Sequence, residues 1–272
     1  MRVAVVSDEI SNDLEEAIQL GLLLGVTVYK LRWVRLPGTF QRRRVGELSD
    51  EEATSLAEVA RRHQVTISAI SPGLFLGPWR EDGVVGQAAH LERALEIAEA
   101  LGTRDIIIHG FLPPEGRRNG VCPSGVLETL GYAAERAQAA GFRLLLRNIP
   151  GSYADTGAHT ASIVHAVRSE ALGVSWDPCH AARAGECAIC EGYDWVAPFV
   201  RDVWVRDQEQ RNELGYEYTG LAQGSMDWPA QFQALARDGF QGTLTLDTQL
   251  EPRVLSTVQG LEALRRLVAG VS

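Results

Sequence analysis

Side chains able to move protons or grip anions recur where short β-branched runs end. Ser7, Asp8 and Glu9 follow the first such run, Lys30 and Arg32 close the second, Ser71 the third and His109 the fourth. Arg147 with Asn148, Asp177 with His180, Trp204 with Arg206, and Asp247 close the remaining four. Carboxylates set beside guanidinium and ammonium groups invite two kinds of chemistry. One is proton transfer by a group whose pKa its neighbours have shifted; the other is forked hydrogen bonding to a carboxylate or phosphate. Lys30 stands out by composition, because it is the single lysine among 26 basic residues. Desolvation and nearby arginines would lower its pKa toward neutrality, as a proton-transfer group or Schiff-base nucleophile requires. The plainer reading is a salt bridge to Asp247 or Asp177. Arg147 is read as a substrate clamp or an internal charge clamp, and His109 as a substrate contact or a satisfied core histidine.

A second cluster is made of softer ligands. Cys179, His180, Cys187 and Cys190 fall close together, and a Cys-x-x-Cys step is common in structural zinc sites. The adjacency of Cys179 and His180 strains tetrahedral ligation, so free or redox-labile thiols stand beside bound zinc as a reading. With Cys122 the chain has 4 cysteines, too few for a disulfide framework at this length. Trp204 and Trp79 are placed to wall a pocket. The basic runs Arg42-Arg43-Arg44 and Arg117-Arg118 are read as loops, solvated or screening that pocket.

The elements that must position these residues alternate. Strand runs are expected at Val3–Ser7, Val26–Trp33, Val65–Ser71, Asp105–Gly110, Arg143–Asn148, Leu172–Asp177, Asp202–Asp207 and Gly242–Thr248. Helical patterns lie between and after them at Asn12–Leu24, Asp50–His63, Gly86–Leu101, Ser124–Ala140, Ala158–Ser169, Asp194–Pro198, Pro229–Arg237 and Val254–Val268. Ser49-Asp50-Glu51-Glu52 has the form of a capping box, and Gly25, Gly102, Gly141 and Gly239 follow helices where a left-handed residue is useful. Before the sixth helix, Cys179 to Tyr193 reads as a long loop. Eight βα repeats in 272 residues, with no linker between them, make one (β/α)8 barrel over residues 1–272 the expected fold. Chemistry in such barrels sits at the C-terminal ends of the strands, where the charged residues fall.

Charge narrows the partners. A formal net charge of −9 opposes general nucleic-acid binding, which is driven by cations displacing counterions. The opening Met1-Arg2-Val3-Ala4-Val5-Val6-Ser7 is too short an apolar stretch for a signal peptide, and no run approaches a membrane span, so a cytoplasmic location is expected.

Several segments together resemble the xylose isomerase-like TIM-barrel superfamily, in its sugar phosphate isomerase/epimerase branch, distantly similar to endonuclease IV. They are Ser7-Asp8-Glu9-Ile10, Lys30-Leu31-Arg32-Trp33, Ser68-Ala69-Ile70, Trp176-Asp177-Pro178-Cys179-His180, Val205-Arg206-Asp207 and Gly224-Ser225-Met226-Asp227-Trp228. The resemblance implies a divalent metal (Mn, Mg or Zn) held by a Glu ending strand five, an Asp ending strand six, a His on strand seven and a Glu ending strand eight. The metal polarises substrate oxygens while the glutamates move protons. This chain departs from that set. Arg147 stands for the first Glu, Trp204 for the His, Asp247 for the last Glu, and Lys30 for a common Glu before Leu-Arg-Trp; Asp177, paired with His180, is kept.

A cation cannot ligate a divalent ion, so no metal cofactor is expected, with Asp177 and His180 as the ligands if one is retained and His109 as a further partner. Arg147 and Lys30 are expected to fill the ion's electrostatic role by pairing with Asp177 and Asp247. The expected function is an isomerase or epimerase acting on a small anionic sugar or polyol derivative, and a lyase would use the same enolate. Proton transfer is assigned to Lys30 and Asp247, hydroxyl orientation to Asp177 and His180, enolate stabilisation to Arg147, and anion binding to Arg32, Arg147 and Arg206. His109 and Trp204 complete the expected substrate contacts. A barrel that binds a ligand without turnover is the reading from another class, a metal-dependent endonuclease is a third, and a homodimer is a possible assembly.

Overall fold

The computed structural model describes residues 1–36, 38–114, 121–187, 191–211 and 215–271. Eight parallel strands close into a barrel: β1 (Arg2–Val6), β2 (Val28–Leu31), β3 (Thr66–Leu74), β4 (Asp105–His109), β5 (Arg143–Arg147), β6 (Leu172–Trp176), β7 (Val200–Val205) and β8 (Thr243–Leu246). Neighbours in sequence are neighbours in the barrel, and β8 pairs with β1 to complete the ring. Helices α1 (Leu14–Leu23), α2 (Asp50–Arg62), α3 (Val84–Ala100), α4 (Ser124–Ala139) and α5 (Gly157–Val167) follow the first five strands. Short helices α6 (Pro178–Arg183) and α7 (Tyr193–Val196) follow β6, α8 (Trp228–Arg237) follows β7, and α9 (Arg253–Ala269) follows β8. This is the expected (β/α)8 barrel. No helix among the described residues is long and apolar enough to cross a membrane.

Local sequence explains the element ends. Ser49 Oγ accepts from the Glu52 amide at 3.2 Å while the Glu52 carboxylate accepts from the Ser49 amide at 2.7 Å, so the capping box starts α2 as read. The four glycines expected after helices all take positive φ, from 66° at Gly239 to 77° at Gly141.

Two of the expected strand runs divide between the barrel and a hairpin. The second run leaves the barrel after Leu31, and Trp33–Arg35 turns back antiparallel against Arg42–Arg44. The seventh leaves after Val205, and Asp207–Gln210 pairs antiparallel with Tyr216–Thr219. The Arg42–Arg44 run is therefore a strand of a hairpin rather than a loop, while Arg117-Arg118 lies outside the described residues. The expected loop from Cys179 contains α6, for which Asp177 supplies the N-cap by accepting from the His180 amide at 3.0 Å.

The barrel interior is chemically divided. Ala69, Ile107 and Leu145 form an apolar cluster of their own on β3, β4 and β5. The strands β2, β6, β7 and β8 contribute Lys30, Ser175, Asp202, Trp204 and Thr245, all buried. Lys30 Nζ donates to Asp202 Oδ2 at 2.6 Å, and the same carboxylate accepts from Ser175 Oγ at 2.5 Å and Thr245 Oγ1 at 2.7 Å. A buried carboxylate with three donors and a buried ammonium with a carboxylate are mutually satisfied, as desolvated charges require.

Candidate active site

The C-terminal ends of the strands carry a continuous lattice of charge. Asp177, after β6, accepts at Oδ2 from Arg147 Nη2 at 2.7 Å and from Arg206 Nη2. Arg206, after β7, also reaches Asp247 Oδ2, after β8, at 2.9 Å. Arg147 lies 3.8 Å from the same oxygen. Asp247 Oδ1 accepts from Arg32 Nη1 at 3.1 Å, and Arg32 in turn grips Asp8 Oδ2 at 2.8 Å and Glu9 Oε1 at 3.2 Å. The side chain of Asn148 fixes the Asp177 backbone on both sides, accepting from its amide at 2.8 Å and donating to its carbonyl at 2.9 Å. Arg147 thus pairs with Asp177 as the sequence implies. Lys30 does not: it points deeper, pairs with Asp202 instead of Asp177 or Asp247, and is 0% exposed.

The lattice sets the ionisation of its members. Burial alone would raise Asp177, but Arg206, His180 and Arg147 outweigh it and hold the carboxylate at about 2. Asp247 is likewise buried, yet Arg32, Arg206 and Arg147 keep it well below the usual carboxylate range. Glu9 behaves oppositely. Burial and the adjacent Asp247 charge push it up to about 7, against a hydrogen bond from Thr248 and the charge of Arg32. His180 is pushed down to about 3, chiefly by burial, and as a neutral imidazole donates Nδ1–H to the Asn148 carbonyl at 2.8 Å. Burial also takes His109 well below 6.5, leaving it neutral.

A cavity of about 360 Å³ opens over this lattice, with Asp8, Glu9, Arg32, His109 and Arg147 on its floor and Trp33, Arg42, Arg44 and Arg253 around its mouth. Its polar lining is incompletely satisfied: Asp8 Oδ1, His109 Nδ1 and Arg147 Nε are buried with no hydrogen-bond partner. Orphaned buried donors and acceptors are costly, and all three belong to residues that line the cavity.

Of the expected site residues, Arg32, His109 and Arg147 line the cavity. Asp177, Asp247 and Arg206 lie immediately behind as the lattice, and His180 caps that lattice from α6. Lys30 and Trp204 do not line it. The Trp204 ring lies beneath Arg147, with the guanidinium 3.5 Å and the Lys30 ammonium 3.9 Å from its centre, and its Nε1 donates to Ser175 Oγ at 2.7 Å. Trp79 packs against Gly125 and donates to Thr129 on α4, so the aromatic wall is Trp33 instead. Glu9 and Asp8 belong to the site although only their place after the first strand pointed to them; they sit on a short 3₁₀ turn, Ser7–Glu9.

The residues present do not fit a divalent metal. Asp247 has both oxygens engaged by guanidiniums, Asp177 has Oδ2 held by Arg147 and Arg206 and Oδ1 by the His180 amide, the first expected glutamate is Arg147, and Trp204 offers no lone pair. A divalent ion about 4 Å from each arginine would meet roughly 8 kcal/mol of repulsion from each at an effective dielectric near 20. Among the described residues no group of three His, Cys, Asp or Glu is arranged to hold an ion. In the cysteine cluster, Cys179 is buried with its thiol donating to the Arg206 carbonyl at 3.3 Å, and Cys190 lies outside the described residues.

Comparison with known proteins agrees with this architecture. The profile of the xylose isomerase-like TIM barrel family matches residues 28–267. No curated protein matches the sequence. Three solved structures illustrate the fold. An IOLI protein with a bound zinc atom is 18% identical at a TM-score of 0.79, over 100% of this chain and 98% of that one. A xylose isomerase-like TIM barrel protein from Mycobacterium smegmatis in complex with magnesium is 14% identical at 0.76, over 100% and 97%. D-psicose 3-epimerase with D-tagatose, from Clostridium cellulolyticum H10, is 14% identical at 0.75, over 98% and 99%. Metal-bound and sugar-bound proteins therefore share this fold.

Proposed function

Because this chain belongs to the xylose isomerase-like TIM barrel family, we propose that it catalyses proton transfer next to a carbonyl in a small anionic carbohydrate derivative. In this reading, a guanidinium lattice takes the place of the divalent ion. The supporting observation is the meeting, in one cavity, of the Glu9 carboxyl with Arg32 and Arg147, both anchored from behind by Asp247 and Asp177.

The proton-transfer roles follow from how the two carboxyls differ. Neighbouring carboxyls whose surroundings drive their pKa values apart divide the work of acid–base chemistry. Asp247, ringed by three arginines, stays ionised and serves as an anchor, while Glu9 exchanges a proton near neutral pH. Lys30, closed off beneath Trp204, is assigned a structural role in place of the Schiff base. Glu9 as carboxylate takes the proton from the carbon beside the substrate carbonyl. The resulting enediolate oxygen lies against Arg147 and Arg32, and the Glu9 carboxyl, after exchanging its proton with solvent, returns one proton to carbon, so the step needs no oxidant or reductant. Neutral His109 and Asp8 supply a donor or acceptor for hydroxyls.

Incubating the protein with candidate sugars, sugar acids and sugar phosphates in D2O tests the reading by proton NMR. Deuterium should enter at the carbon next to the carbonyl. A ligand that binds in the cavity but shows neither exchange nor conversion would identify a binding barrel instead.

A further inference from the structure

Most cations around the cavity already have carboxylate partners. Arg32 is paired with Asp8 and Glu9, Arg147 with Asp177, and Arg253 with Glu251 at 2.9 Å. Arg42 and Arg44 are the exceptions: among the described residues no carboxylate lies within ion-pair distance of either. Period-2 alternation explains how the Arg42-Arg43-Arg44 run divides its labour. Arg43 pairs with Glu52, whereas Arg42 and Arg44 share the other face and stack on Trp33, 5.0 and 4.5 Å from its ring centre.

Stacking engages the flat face of a guanidinium and leaves its N–H edge free, so Trp33 orders two forks without consuming their donors. Gly73 contributes to that placement. Its φ of +86° suits glycine, and a Cβ there would lie 2.8 Å from Arg44 Nη1, so the bare backbone leaves Arg44 room against the turn. Two like charges held side by side against one ring, neither in an ion pair although the Glu47 carboxylate, bound to the Arg44 amide at 3.2 Å, acts on Arg44 from the same turn, are poised for a dianion.

We propose that Arg42, Arg44 and Trp33 form a subsite for a phosphate monoester, which fixes the far end of the substrate while its carbonyl end meets Glu9 and Arg147. The inference rests on the proposed small anionic substrate and names its charged group. A phosphate ester dianion matches these two charges and presents the oxygens that forked donors favour.

Calorimetric titration with inorganic phosphate at low ionic strength tests the subsite without any turnover, so its outcome is independent of whether the D2O exchange succeeds. Phosphate should bind more tightly at pH 8 than at pH 6, as its dianion accumulates, and acetate should bind far more weakly. Arg42→Gln and Arg44→Gln should each weaken phosphate binding roughly ten-fold or more. Arg43→Gln, altered on the opposite face, should bind as the unaltered protein does. Equal binding of acetate and phosphate, or unchanged phosphate binding by the Arg42→Gln/Arg44→Gln double variant, would overturn the proposal.

Discussion

Glu9→Gln is expected to lower kcat/KM by about 10²–10⁴-fold, the usual worth of a positioned general base, while ligand affinity changes only a few-fold. Glutamine keeps the shape of the side chain and can still accept from Thr248 Oγ1 and the Gln249 amide, which reach Glu9 Oε2 at 2.7 and 2.9 Å. What it loses is the proton exchange. Since the carboxylate form takes the proton, the rate should rise with pH through about 7 in the unaltered protein, and that limb should vanish in the variant. Stability should move in the opposite sense. The folded chain raises the Glu9 pKa from 4.5 to about 7, so Glu9 contributes stability that is present below 4.5 and lost as pH rises through about 7. The contribution is on the order of 3 kcal/mol, and urea unfolding at pH 5 and pH 8 should show it in the parent and not in Glu9→Gln.

Lys30→Met should destabilise the barrel by about 3–5 kcal/mol, the cost of leaving one member of a buried pair uncompensated. Asp202 would keep Ser175 and Thr245 but lose the ammonium at 2.6 Å, and Trp204 would lose the cation over its ring. Removing both charges in Lys30→Met/Asp202→Asn should recover much of that loss, which separates a broken pair from lost packing. Turnover of the folded variant at low temperature should survive. A Lys30→Met protein of normal stability and no activity would return Lys30 to the chemistry.

How much of this could be read from the chain divides along a physical line. The barrel was legible because eight βα units repeat their hydrophobic period, and the strand ends named Arg147, Asp177, Arg206 and Asp247. Depth was not legible. Lys30 and Arg32 both point inward, but residues two apart on a strand are separated by about 7 Å along it. One layer meets Asp202 and the next meets Asp8 and Asp247. Periodicity assigns both to the inside and cannot rank them. The hairpins escaped for a related reason. Arg32 and Arg206 sit within runs that read as single strands, yet each is drawn into the charge lattice just where the chain leaves the barrel. Glu9 was legible as a strand-end carboxylate but its role was not, because it lies past its strand on a 3₁₀ turn, where only tertiary contacts lend it the burial and the Asp247 neighbour that shift its pKa.

The claim on which the rest depends is that guanidiniums occupy the ground that the family resemblance assigns to a divalent ion. Titration of the purified protein with Mn²⁺, followed by the electron paramagnetic resonance of the free ion, tests it most directly. The lattice of Arg32, Arg147 and Arg206 predicts no equivalent of Mn²⁺ taken up at micromolar concentration. One equivalent bound in that range, and released by Asp177→Asn, would contradict it.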